Sequence, residues 1–490
     1  MSEFFGENLS VWAGETLLLS GLDLHIAAGE CVALVGESGS GKSLTALTLM
    51  GLLPPKLSAN WGALRDGMAR KAMVFQEPMS ALNPTMRVGR QVAEAAESAL
   101  GMGRIEAKAR ALDELRRVQL PDPEGAMRKY PHQLSGGQRQ RVMIAMAMAM
   151  DPELLICDEP TTALDHAVAF ELLDLLKDLQ RDRGMAMLFI SHDLEAVAHV
   201  ADRMVVLRVG TVVETGSVRD IMERPQQPYT RGLLASRPPE SGKPLRLPTV
   251  QDFLDGTPPS SIERPVFAGG VEVLAVRGLR KTFKGQPVLD GFDLVLHEGE
   301  TLGLVGASGS GKSTIARCLV GLEQPDDGEI TYHGTRIDEL SAAERRRFAR
   351  EIQYIFQDPF SSLPPRMKVG ALLEEPLAVH GLGDAAQRRA RVAELLEAVG
   401  LPPSSADKYP HEFSGGQRQR IGIARALTLE PKVLVCDESV AALDVSVQAQ
   451  VLNLLNDLKD RFGFSYLFIS HDARVVRYMS DRTVELGASR

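Results

Sequence analysis

The strongest constraint on the fold of this 490-residue chain is that it repeats itself. Five landmarks occur twice in the same order, and three of the five pairs are separated by 279 residues. The pairs are Lys42 and Lys312, Gln76 and Gln357, Ser135 and Ser414, Asp158 and Asp437, and His192 and His471. Ordered matches at a nearly constant spacing indicate a duplication. Because a single core stops growing at roughly 250–300 residues, the duplication predicts two domains.

The two copies differ at their margins. Between its first two landmarks, copy one is 11 residues shorter than copy two, which there holds a β-like run (residues 328–333) and a polar helical stretch (residues 340–350). We therefore expect a peripheral hairpin or turn to be trimmed from copy one. Copy two stops at Arg490, nine residues beyond Asp481, whereas copy one continues well past the matching Asp202. The last strands of the second domain are thus expected to be missing.

Residues 236–270 separate the copies and hold seven prolines among several serines and glycines. This composition is typical of a linker with extended polyproline character. We predict a first domain over residues 1–235, a proline-rich linker over residues 236–270 and a second domain over residues 271–490.

Within each copy, short apolar runs precede polar motifs and amphipathic helical segments follow them. The apolar runs are residues 31–35, 154–157, 187–190, 302–305, 433–436 and 466–469, and the clearest helical segments are residues 170–180 and 448–459. This alternation predicts an α/β fold with a largely parallel sheet that is covered on both faces. Ligand chemistry then belongs at the carboxyl ends of the strands.

Net charge and the arrangement of the cysteines argue against several classes of function. The formal net charge is −9 and no long Lys/Arg block is present, so no nucleic-acid partner is expected. The four cysteines stand singly, which argues against a disulfide framework or a zinc site and fits a reducing cytoplasm. The N-terminus lacks a secretion signal. An apolar run such as residues 142–150 is far shorter than the roughly 20 residues that span a bilayer, so the chain is not expected to cross a membrane by itself.

Both copies contain the P-loop pattern G-x-x-x-x-G-K-[ST] directly after an apolar run. Together with the residue that follows it, the loop comprises Gly36, Glu37, Ser38, Gly39, Ser40, Gly41, Lys42, Ser43 and Leu44 in copy one and Gly306, Ala307, Ser308, Gly309, Ser310, Gly311, Lys312, Ser313 and Thr314 in copy two. Glycines let backbone N–H groups wrap phosphates, and the following helix presents its positive N-terminus. The lysine reaches the outer phosphates, and the hydroxyl of Ser43 or Ser313 is placed to ligate Mg²⁺.

A second motif ends an apolar run with two acids, Asp158-Glu159 in copy one and Asp437-Glu438 in copy two. The aspartate is placed for the Mg²⁺ shell, and the glutamate is placed to polarise the attacking water. An acidic helix cap is the alternative for an isolated pair. The recurrence of both acids at a similar distance from a P-loop favours the catalytic interpretation.

A third motif, Ser-Gly-Gly-Gln, opens a helical segment in each copy. Its members are Ser135, Gly136, Gly137, Gln138, Ser414, Gly415, Gly416 and Gln417. With this signature the sequence resembles the ATP-binding cassette (ABC) family over nearly the whole chain. The resemblance implies two tandem P-loop NTPase domains that hydrolyse ATP with Mg²⁺, each with a mostly parallel core sheet, an antiparallel β subdomain and a helical signature subdomain. In that family the signature closes over the nucleotide of the opposite cassette, so Lys42 would work with residues 414–417 and Lys312 with residues 135–138.

The resemblance also assigns the remaining landmarks. Gln76 and Gln357 resemble the glutamines that sense Mg²⁺ and lead to the transmembrane contact, and Asp165 and Asp444 resemble the D-loop aspartates. A lone histidine after a strand is more often structural. The run Ser-His-Asp occurs in both copies, however, which favours a role for His192 and His471 near the γ-phosphate.

The aromatic residue that stacks on adenine in the family is matched by Phe283 in copy two. The aligned residue of copy one is Ala13, and the neighbouring Trp12 is a candidate for which a core role is equally open.

The segment over residues 225–234, Pro-Gln-Gln-Pro-Tyr-Thr-Arg-Gly-Leu-Leu, is similar to the segment that follows the cassette in oligopeptide, dipeptide and nickel importer ATPases. Some of those relatives carry a cysteine cluster just beyond it. Residues 236–270 contain no cysteine, so we predict no iron–sulfur centre.

The leading hypothesis is an importer ATPase for peptides, nickel or a related small solute, peripheral on the cytoplasmic face of a bacterial inner membrane. Separate permease subunits and a solute-binding protein would be its partners, and ATP-driven closure of two equally competent sites would drive transport. Two alternatives remain: an ABC exporter ATPase with separate membrane subunits, and a soluble twin-cassette ATPase that acts on ribosomes or DNA.

Overall fold

The protein was analysed as a computed structural model, which describes residues 3–162, 164, 166–257, 262–307, 309–358, 362–441 and 443–487. The chain divides into two compact units, Met1–Leu234 and Ala235–Arg490. Two of the site residues predicted above, Ser308 and Asp165, lie outside the described residues.

The first unit is built on one ten-stranded sheet. Its strands are β1 (Glu3–Ala13), β2 (Thr16–Ala27), β3 (Cys31–Val35), β4 (Leu57–Asn60), β5 (Ala63–Asp66), β6 (Lys71–Val74), β7 (Leu154–Asp158), β8 (Ala186–Ile190), β9 (Arg203–Arg208) and β10 (Thr211–Ser217). The order is β4-β1-β2-β10-β9-β3-β8-β7-β6, and β5 also pairs with β1. Strands β9, β3, β8, β7 and β6 run parallel, whereas β1 pairs antiparallel with β2, β4 and β5. Every residue of β3, β7 and β8 is buried, as continuous apolar runs in a covered parallel sheet predict.

The helices of the first unit are α1 (Lys42–Leu49), α2 (Pro78–Ala81), α3 (Val88–Leu100), α4 (Arg104–Arg117), α5 (Pro123–Ala126), α6 (Gly136–Ala149), α7 (His166–Arg183), α8 (Leu194–Val200), α9 (Val218–Glu223) and α10 (Pro228–Ala235). Helices α3, α4 and α6 pack on one another and form the helical subdomain that carries the first signature motif. A 3-10 turn over Pro131–Gln133 leads into α6.

The second unit has the same plan divided over two sheets. Its strands are β11 (Glu272–Phe283), β12 (Gln286–His297), β13 (Thr301–Val305), β14 (Asp327–Tyr332), β15 (Thr335–Arg336), β16 (Ile352–Ile355), β17 (Val433–Asp437), β18 (Ser465–Ile469) and β19 (Arg482–Glu485). An antiparallel sheet has the order β12-β11-β14-β15, and a parallel sheet has the order β16-β17-β18-β13-β19. The predicted α/β fold with an antiparallel subdomain is confirmed.

The helices of the second unit are α11 (Val250–Leu254), α12 (Lys312–Leu319), α13 (Ala342–Phe348), α14 (Val369–Val379), α15 (Ala385–Ala398), α16 (Gly415–Leu427), α17 (Val445–Phe462) and α18 (Ala473–Met479). Two 3-10 turns, Pro403–Asp407 and Pro410–Glu412, precede α16. Its apolar residues form two buried clusters, one around α14 to α18 and one between the antiparallel sheet and α12.

The shortened interval of copy one is explained by the loss of a helix. In both copies short strands cover the edge of the first long strand: β4 and β5 pair with β1, and β14 pairs with β11. The extra residues of copy two form β15 and α13, whereas the chain of copy one passes from β5 directly to β6. The trimmed part is thus a short hairpin strand together with a helix.

Residues 236–270, assigned above to a linker, make specific contacts with the second unit. The Leu247 backbone exchanges two hydrogen bonds with the side chain of Asn453 in α17, at 2.8 and 2.9 Å. Lys243 Nζ donates to the carbonyl of Ser480 at 2.6 Å, and a guanidinium nitrogen of Arg264 donates to Asn456 Oδ1 at 2.7 Å. The segment also contains α11. At Lys243, Leu247 and Arg264 the segment is attached to α17 and to the end of α18.

All four cysteines are buried free thiols. Among the helices in the described part of the chain, none combines the length and the apolar character that crossing a membrane requires.

Candidate functional site

The parallel strands bring the predicted site residues to one edge of each sheet. In the first unit the P-loop follows β3, Asp158 ends β7, His192 follows β8 and Gln76 follows β6. In the second unit the matching residues stand after β13, β17, β18 and β16. Because parallel strands end at a common edge, residues distant in sequence become neighbours there.

The P-loop of the first unit holds its lysine close to the loop backbone. Lys42 Nζ donates to the carbonyl oxygens of Gly36 and Glu37 at 2.7 and 3.0 Å, and the side chain is buried. Gly41, just before α1, has φ 106°, a left-handed conformation that favours glycine. Carbonyl oxygens thus hold the ammonium group at the place where a nucleotide's phosphates would bind.

The second P-loop repeats this arrangement. Lys312 Nζ donates to the carbonyl oxygens of Gly306 and Ala307 at 2.8 and 2.9 Å, and Gly311 has φ 103°. The hydroxyls of Ser40 and Ser310 are buried and have no hydrogen-bond partner among the described residues of their loops. Unpartnered buried hydroxyls fit a loop that is completed by a ligand with acceptor oxygens.

Each P-loop serine lies beside the aspartate that ends the neighbouring buried strand. Ser43 Oγ donates to Asp158 Oδ1 at 3.4 Å, and Ser313 Oγ donates to Asp437 Oδ1 at 3.1 Å. Burial raises the pKa of Asp158, an effect that the hydrogen bond from Ser43 opposes. Hydroxyl and carboxylate oxygens are the ligands that Mg²⁺ prefers.

The side chains at each site could supply only part of a Mg²⁺ shell. Among the described residues no group of three or more His, Cys, Asp or Glu side chains is placed to hold a metal ion. Mg²⁺ commonly binds through one or two carboxylates together with substrate phosphates, so one aspartate and one serine per site fit a Mg–nucleotide complex.

Three side chains contact the carboxylate of Glu159 in the first site. Gln76 Nε2 donates to Oε2 at 2.9 Å, Thr162 Oγ1 donates to Oε2 at 3.1 Å, and His192 Nδ1 lies 3.2 Å from it. Burial alone would raise the pKa of Glu159, but the hydrogen bonds and positive charges around it, above all from His192, leave the pKa below its usual value. The carboxylate is therefore held ionised, the form that accepts a proton from water.

Two of these contacts recur at Glu438 in the second site. Gln357 Nε2 donates to Oε2 at 2.5 Å, and His471 Nδ1 lies 3.7 Å from Oε1. The contact with His471 is the main reason that the pKa of Glu438 is lowered, and the same contact raises the pKa of His471. The position of Thr162 is occupied by Ala441.

The backbone of both glutamates is unusual. Glu159 has φ 49° and Glu438 has φ 48°, a left-handed conformation that non-glycine residues seldom adopt. The N–H of each donates across the sheet at 2.9 Å, Glu159 to the carbonyl of Ile190 and Glu438 to that of Ile469. Strained residues of this kind persist where the surrounding structure fixes them, and they cluster at active sites.

The signature motifs form the N-terminal caps of α6 and α16. Ser135 Oγ accepts from the N–H of Gln138 at 3.3 Å, Gln138 Oε1 accepts from the N–H of Ser135 at 3.2 Å, and Ser414 and Gln417 form the same capping box. The second glycine is more tightly packed in the second motif: a Cβ on Gly416 would lie 2.4 Å from Val447 Cγ1, and a Cβ on Gly137 would lie 3.2 Å from Val168 Cγ1. Each motif thus presents a helix N-terminus, which suits phosphate binding.

The two candidate aromatic residues are placed differently. The ring of Phe283 is 40% exposed at the end of β11, with Lys281 Nζ 5.3 Å from its centroid. Trp12 is half-buried in β1 and pairs through its backbone with Leu17 and Ser58. Phe283 has the exposed face that a stacking residue requires.

Three residues near the sites were missed by the motif analysis. Thr162 and Tyr354 contact the acids, the latter with its hydroxyl 2.5 Å from Asp437 Oδ2. The hydroxyl of the buried Tyr229, in α10, accepts from the N–H of Glu37 in the P-loop at 3.3 Å. Tyr229 belongs to the segment that indicated the subfamily, and a comparison of the two copies residue by residue would have marked Thr162 and Tyr354 as differences beside the motifs.

Comparisons with known proteins agree with this geometry. A family model described as ABC transporter matches residues 19–162 and 289–441. The glutathione import ATP-binding protein GsiA of Salmonella paratyphi A is 46% identical over 502 residues, which cover 94% of this chain and 80% of that protein. The protein of the same name from Escherichia coli O6:H1 is 46% identical over 499 residues, with the same coverage. Among solved structures, the RNase-L Inhibitor has a TM-score of 0.63 and 20% identity over 97% of this chain and 87% of its own, a likeness that shows the fold alone.

Proposed function

Because this chain belongs to the ABC transporter family, whose ATP-binding proteins are ATPases, we propose that it powers import through separate membrane-spanning subunits. The observation that carries the proposal is that each unit assembles a full set of lysine, serine, aspartate, glutamate, glutamine and histidine at one sheet edge. The similarity to import ATP-binding proteins over 94% of the chain supports import as the direction of transport.

In the proposed mechanism each residue acts on ATP bound at its P-loop. Lys42 and Lys312 neutralise the outer phosphates. Ser43 with Asp158 and Ser313 with Asp437 would hold Mg²⁺, which would supply positive charge to offset the charge on the transferred phosphoryl group. The roles of the glutamates and histidines follow from the contacts that their side chains make.

Glu159 and Glu438 accept the proton of the attacking water. Gln76 and Gln357 orient these carboxylates. They would also contact Mg²⁺ when it is bound and so report the state of the site to the membrane subunits. His192 and His471, which contact the same carboxylates, would lie against the γ-phosphate. Phe283 would stack on the adenine, and Trp12 is the weaker candidate in the first site.

We further propose that each working site is composite. The signature at Ser414 would close over ATP held by Lys42, and the signature at Ser135 over ATP held by Lys312. The exposed helix N-termini support this arrangement, because their N–H groups suit a phosphate. Closure on ATP and reopening after hydrolysis would then drive alternating access in the membrane subunits.

The proposed cargo is a short peptide. The two relatives named above are glutathione import proteins, and glutathione is itself a tripeptide. Residues 225–234 resemble the segment of peptide and nickel importers. A solute-binding protein would deliver the cargo, and the ATPase would sit on the cytoplasmic face of the membrane. The transport assay therefore also includes Ni²⁺ as a possible cargo.

Transport by the complete system tests the proposal. The ATPase is co-expressed with its permease subunits, and uptake of labelled glutathione, a tripeptide series and Ni²⁺ is compared in membrane vesicles supplied with ATP. We expect the combined change Glu159→Gln and Glu438→Gln to abolish uptake of a peptide. The matched control is Glu171→Gln with Glu430→Gln, which alters one exposed glutamate in each unit.

Uptake that survives the loss of both catalytic carboxylates would refute the role in import. ATP-dependent loss of cargo from loaded vesicles would point to export, and sedimentation with ribosomes instead of membranes would point to a soluble factor.

The composite arrangement is tested by pairing variants. Lys42→Ala with Ser414→Arg damages one proposed site only, so ATP trapped at the remaining site should stay near one equivalent per chain. Lys42→Ala with Ser135→Arg damages both proposed sites and should trap almost none. The reverse pattern would show that each signature serves the P-loop of its own unit.

A further inference from the structure

The two Mg²⁺ aspartates differ in what holds their carboxylates. Asp437 is almost fully buried and receives two hydroxyl donors: Ser313 Oγ lies 3.1 Å from Oδ1, and Tyr354 Oη lies 2.5 Å from Oδ2. For Asp158, Ser43 is the one side chain in the described part of the chain that donates, at 3.4 Å from Oδ1. Both oxygens of the carboxylate are therefore fixed in the second site and one in the first.

The difference arises at one position of the edge strand. In β16, Tyr354 pairs with Val435 of β17, and in β6, Met73 pairs with Ile156 of β7, so the two side chains occupy equivalent places in the parallel sheet. A tyrosine hydroxyl is a strong donor, whereas a thioether has no proton to donate.

A second difference between the two copies also makes the surroundings of the aspartate more polar in the second site. Arg317 of α12 lies against the Tyr354 hydroxyl. The equivalent residue of α1, counted from the P-loop lysine, is Leu47. The second site thus has a connected polar set of arginine, tyrosine and aspartate where the first has leucine, methionine and aspartate.

We propose that Tyr354 is a positioning residue of the second ATP site, which fixes the Asp437 carboxylate for Mg²⁺ and so makes metal-dependent nucleotide binding tighter there than in the first site. The inference rests on the proposed ATP site. A ligating carboxylate that is itself hydrogen-bonded loses less freedom on binding a metal, and loss of such outer contacts typically costs about 10–100-fold in metal affinity.

The test compares nucleotide binding with and without metal. In a Lys42→Ala background, which leaves the second site to bind, the affinity for a non-hydrolysable ATP analogue is measured in Mg²⁺ and in EDTA. Tyr354→Phe should lower the affinity about 10–100-fold in Mg²⁺ and leave the affinity in EDTA unchanged. Mn²⁺ binding followed by electron paramagnetic resonance, with the analogue present, should weaken by the same factor.

Tyr354→Met, which installs the side chain of the first site, separates the hydroxyl from the ring. We expect it to match Tyr354→Phe. Equal losses in Mg²⁺ and EDTA would assign Tyr354 a packing role, and a loss with methionine but not with phenylalanine would assign the effect to the ring; either result, or no loss at all, overturns the proposal. The binding measurements need no membrane subunit, so their failure leaves the proposed transport function standing.

Discussion

The two sites differ in which carboxylate receives an additional hydrogen bond. In the first unit it is the glutamate, and in the second unit it is the aspartate. Thr162 donates to Glu159, whereas the residue in its place is Ala441. Conversely, Tyr354 donates to Asp437. The duplication has kept the residues that define the motifs and has exchanged their neighbours, so the two sites share one chemistry but support different parts of it.

The largest effect is expected from removing the P-loop lysines, whose contacts are the same in the two sites. Because Lys42 and Lys312 make the same pair of carbonyl contacts, Lys42→Ala and Lys312→Ala should each lower ATP hydrolysis roughly tenfold or more, and to a similar extent. Steady-state phosphate release by the purified chain measures this effect. If Lys42→Ala retained half of the rate or better while Lys312→Ala abolished it, the sites would be unequal in catalysis and not only in their outer contacts.

The next effect concerns the segment that is attached to the second unit. Asn453 is 2% exposed and satisfies both backbone groups of Leu247, so Asn453→Ala leaves two buried groups unpaired and should cost about 2–3 kcal/mol of unfolding free energy. The matched change in the first unit is Asp174→Ala. That carboxylate is 66% exposed and pairs with His199 at the surface, an interaction worth about 0–1 kcal/mol.

Hydrogen exchange of residues 243–264 and calorimetry measure the loss. Both tryptophans, Trp12 and Trp61, lie in the first unit, so tryptophan fluorescence reports that unit separately and should not change with Asn453→Ala. Unchanged exchange in residues 243–264 would show that the segment is held by other contacts.

Whether a feature could be predicted from the sequence depends on whether the residues that determine it are close together or far apart in the chain. The six apolar runs became strands β3, β7, β8, β13, β17 and β18, because a strand buried on both faces is apolar along its whole length. The P-loops and signature caps are also local, since glycines and a capping serine set them within a few residues. These parts could be predicted.

Contacts between distant segments could not. The composition of residues 236–270 is that of a linker, and its attachment involves Asn453, Asn456 and Ser480, all about 200 residues further along the chain. In the same way, Tyr354 reaches Asp437 only because β16 and β17 are neighbours in the sheet. No motif contains both residues, so only the folded structure brings them together.

A smaller effect is expected at the adenine face. Base stacking on an aromatic side chain is worth roughly 1–3 kcal/mol, so Phe283→Ala should weaken ATP binding to the second site about tenfold in a Lys42→Ala background. Trp12→Ala, measured at the first site in a Lys312→Ala background, should weaken it less, because Trp12 is half-buried in β1. Titration with a fluorescent ATP analogue compares the two, and an equal loss at both would place Trp12 on the nucleotide after all.

The smallest effect is expected when the hydrogen-bond donor to the glutamate is removed from the first site or added to the second. The backbone turn is the same in both units, since the N–H of Thr162 donates to the carbonyl of Glu159 and that of Ala441 to the carbonyl of Glu438. A threonine at position 441 should therefore reach the carboxylate of Glu438. A hydrogen bond to a charged group can be worth about 1.5–3 kcal/mol. Because Gln76 and His192 continue to hold the carboxylate, Thr162→Ala should lose only part of that and change the hydrolysis rate by roughly 2–10-fold.

The direction of that change separates two roles for the donor. If orientation of the carboxylate limits hydrolysis, Thr162→Ala slows phosphate release and Ala441→Thr accelerates it. If basicity limits hydrolysis instead, the signs are reversed, because a donor stabilises the ionised carboxylate and weakens it as a base. We expect the first pattern, since Gln76 and His192 already hold Glu159 in its ionised form. Thr162→Ser, which keeps the hydroxyl, is the control and should stay close to the original rate. Changes of the same sign in both reciprocal variants would mean that the donor acts through packing of the turn.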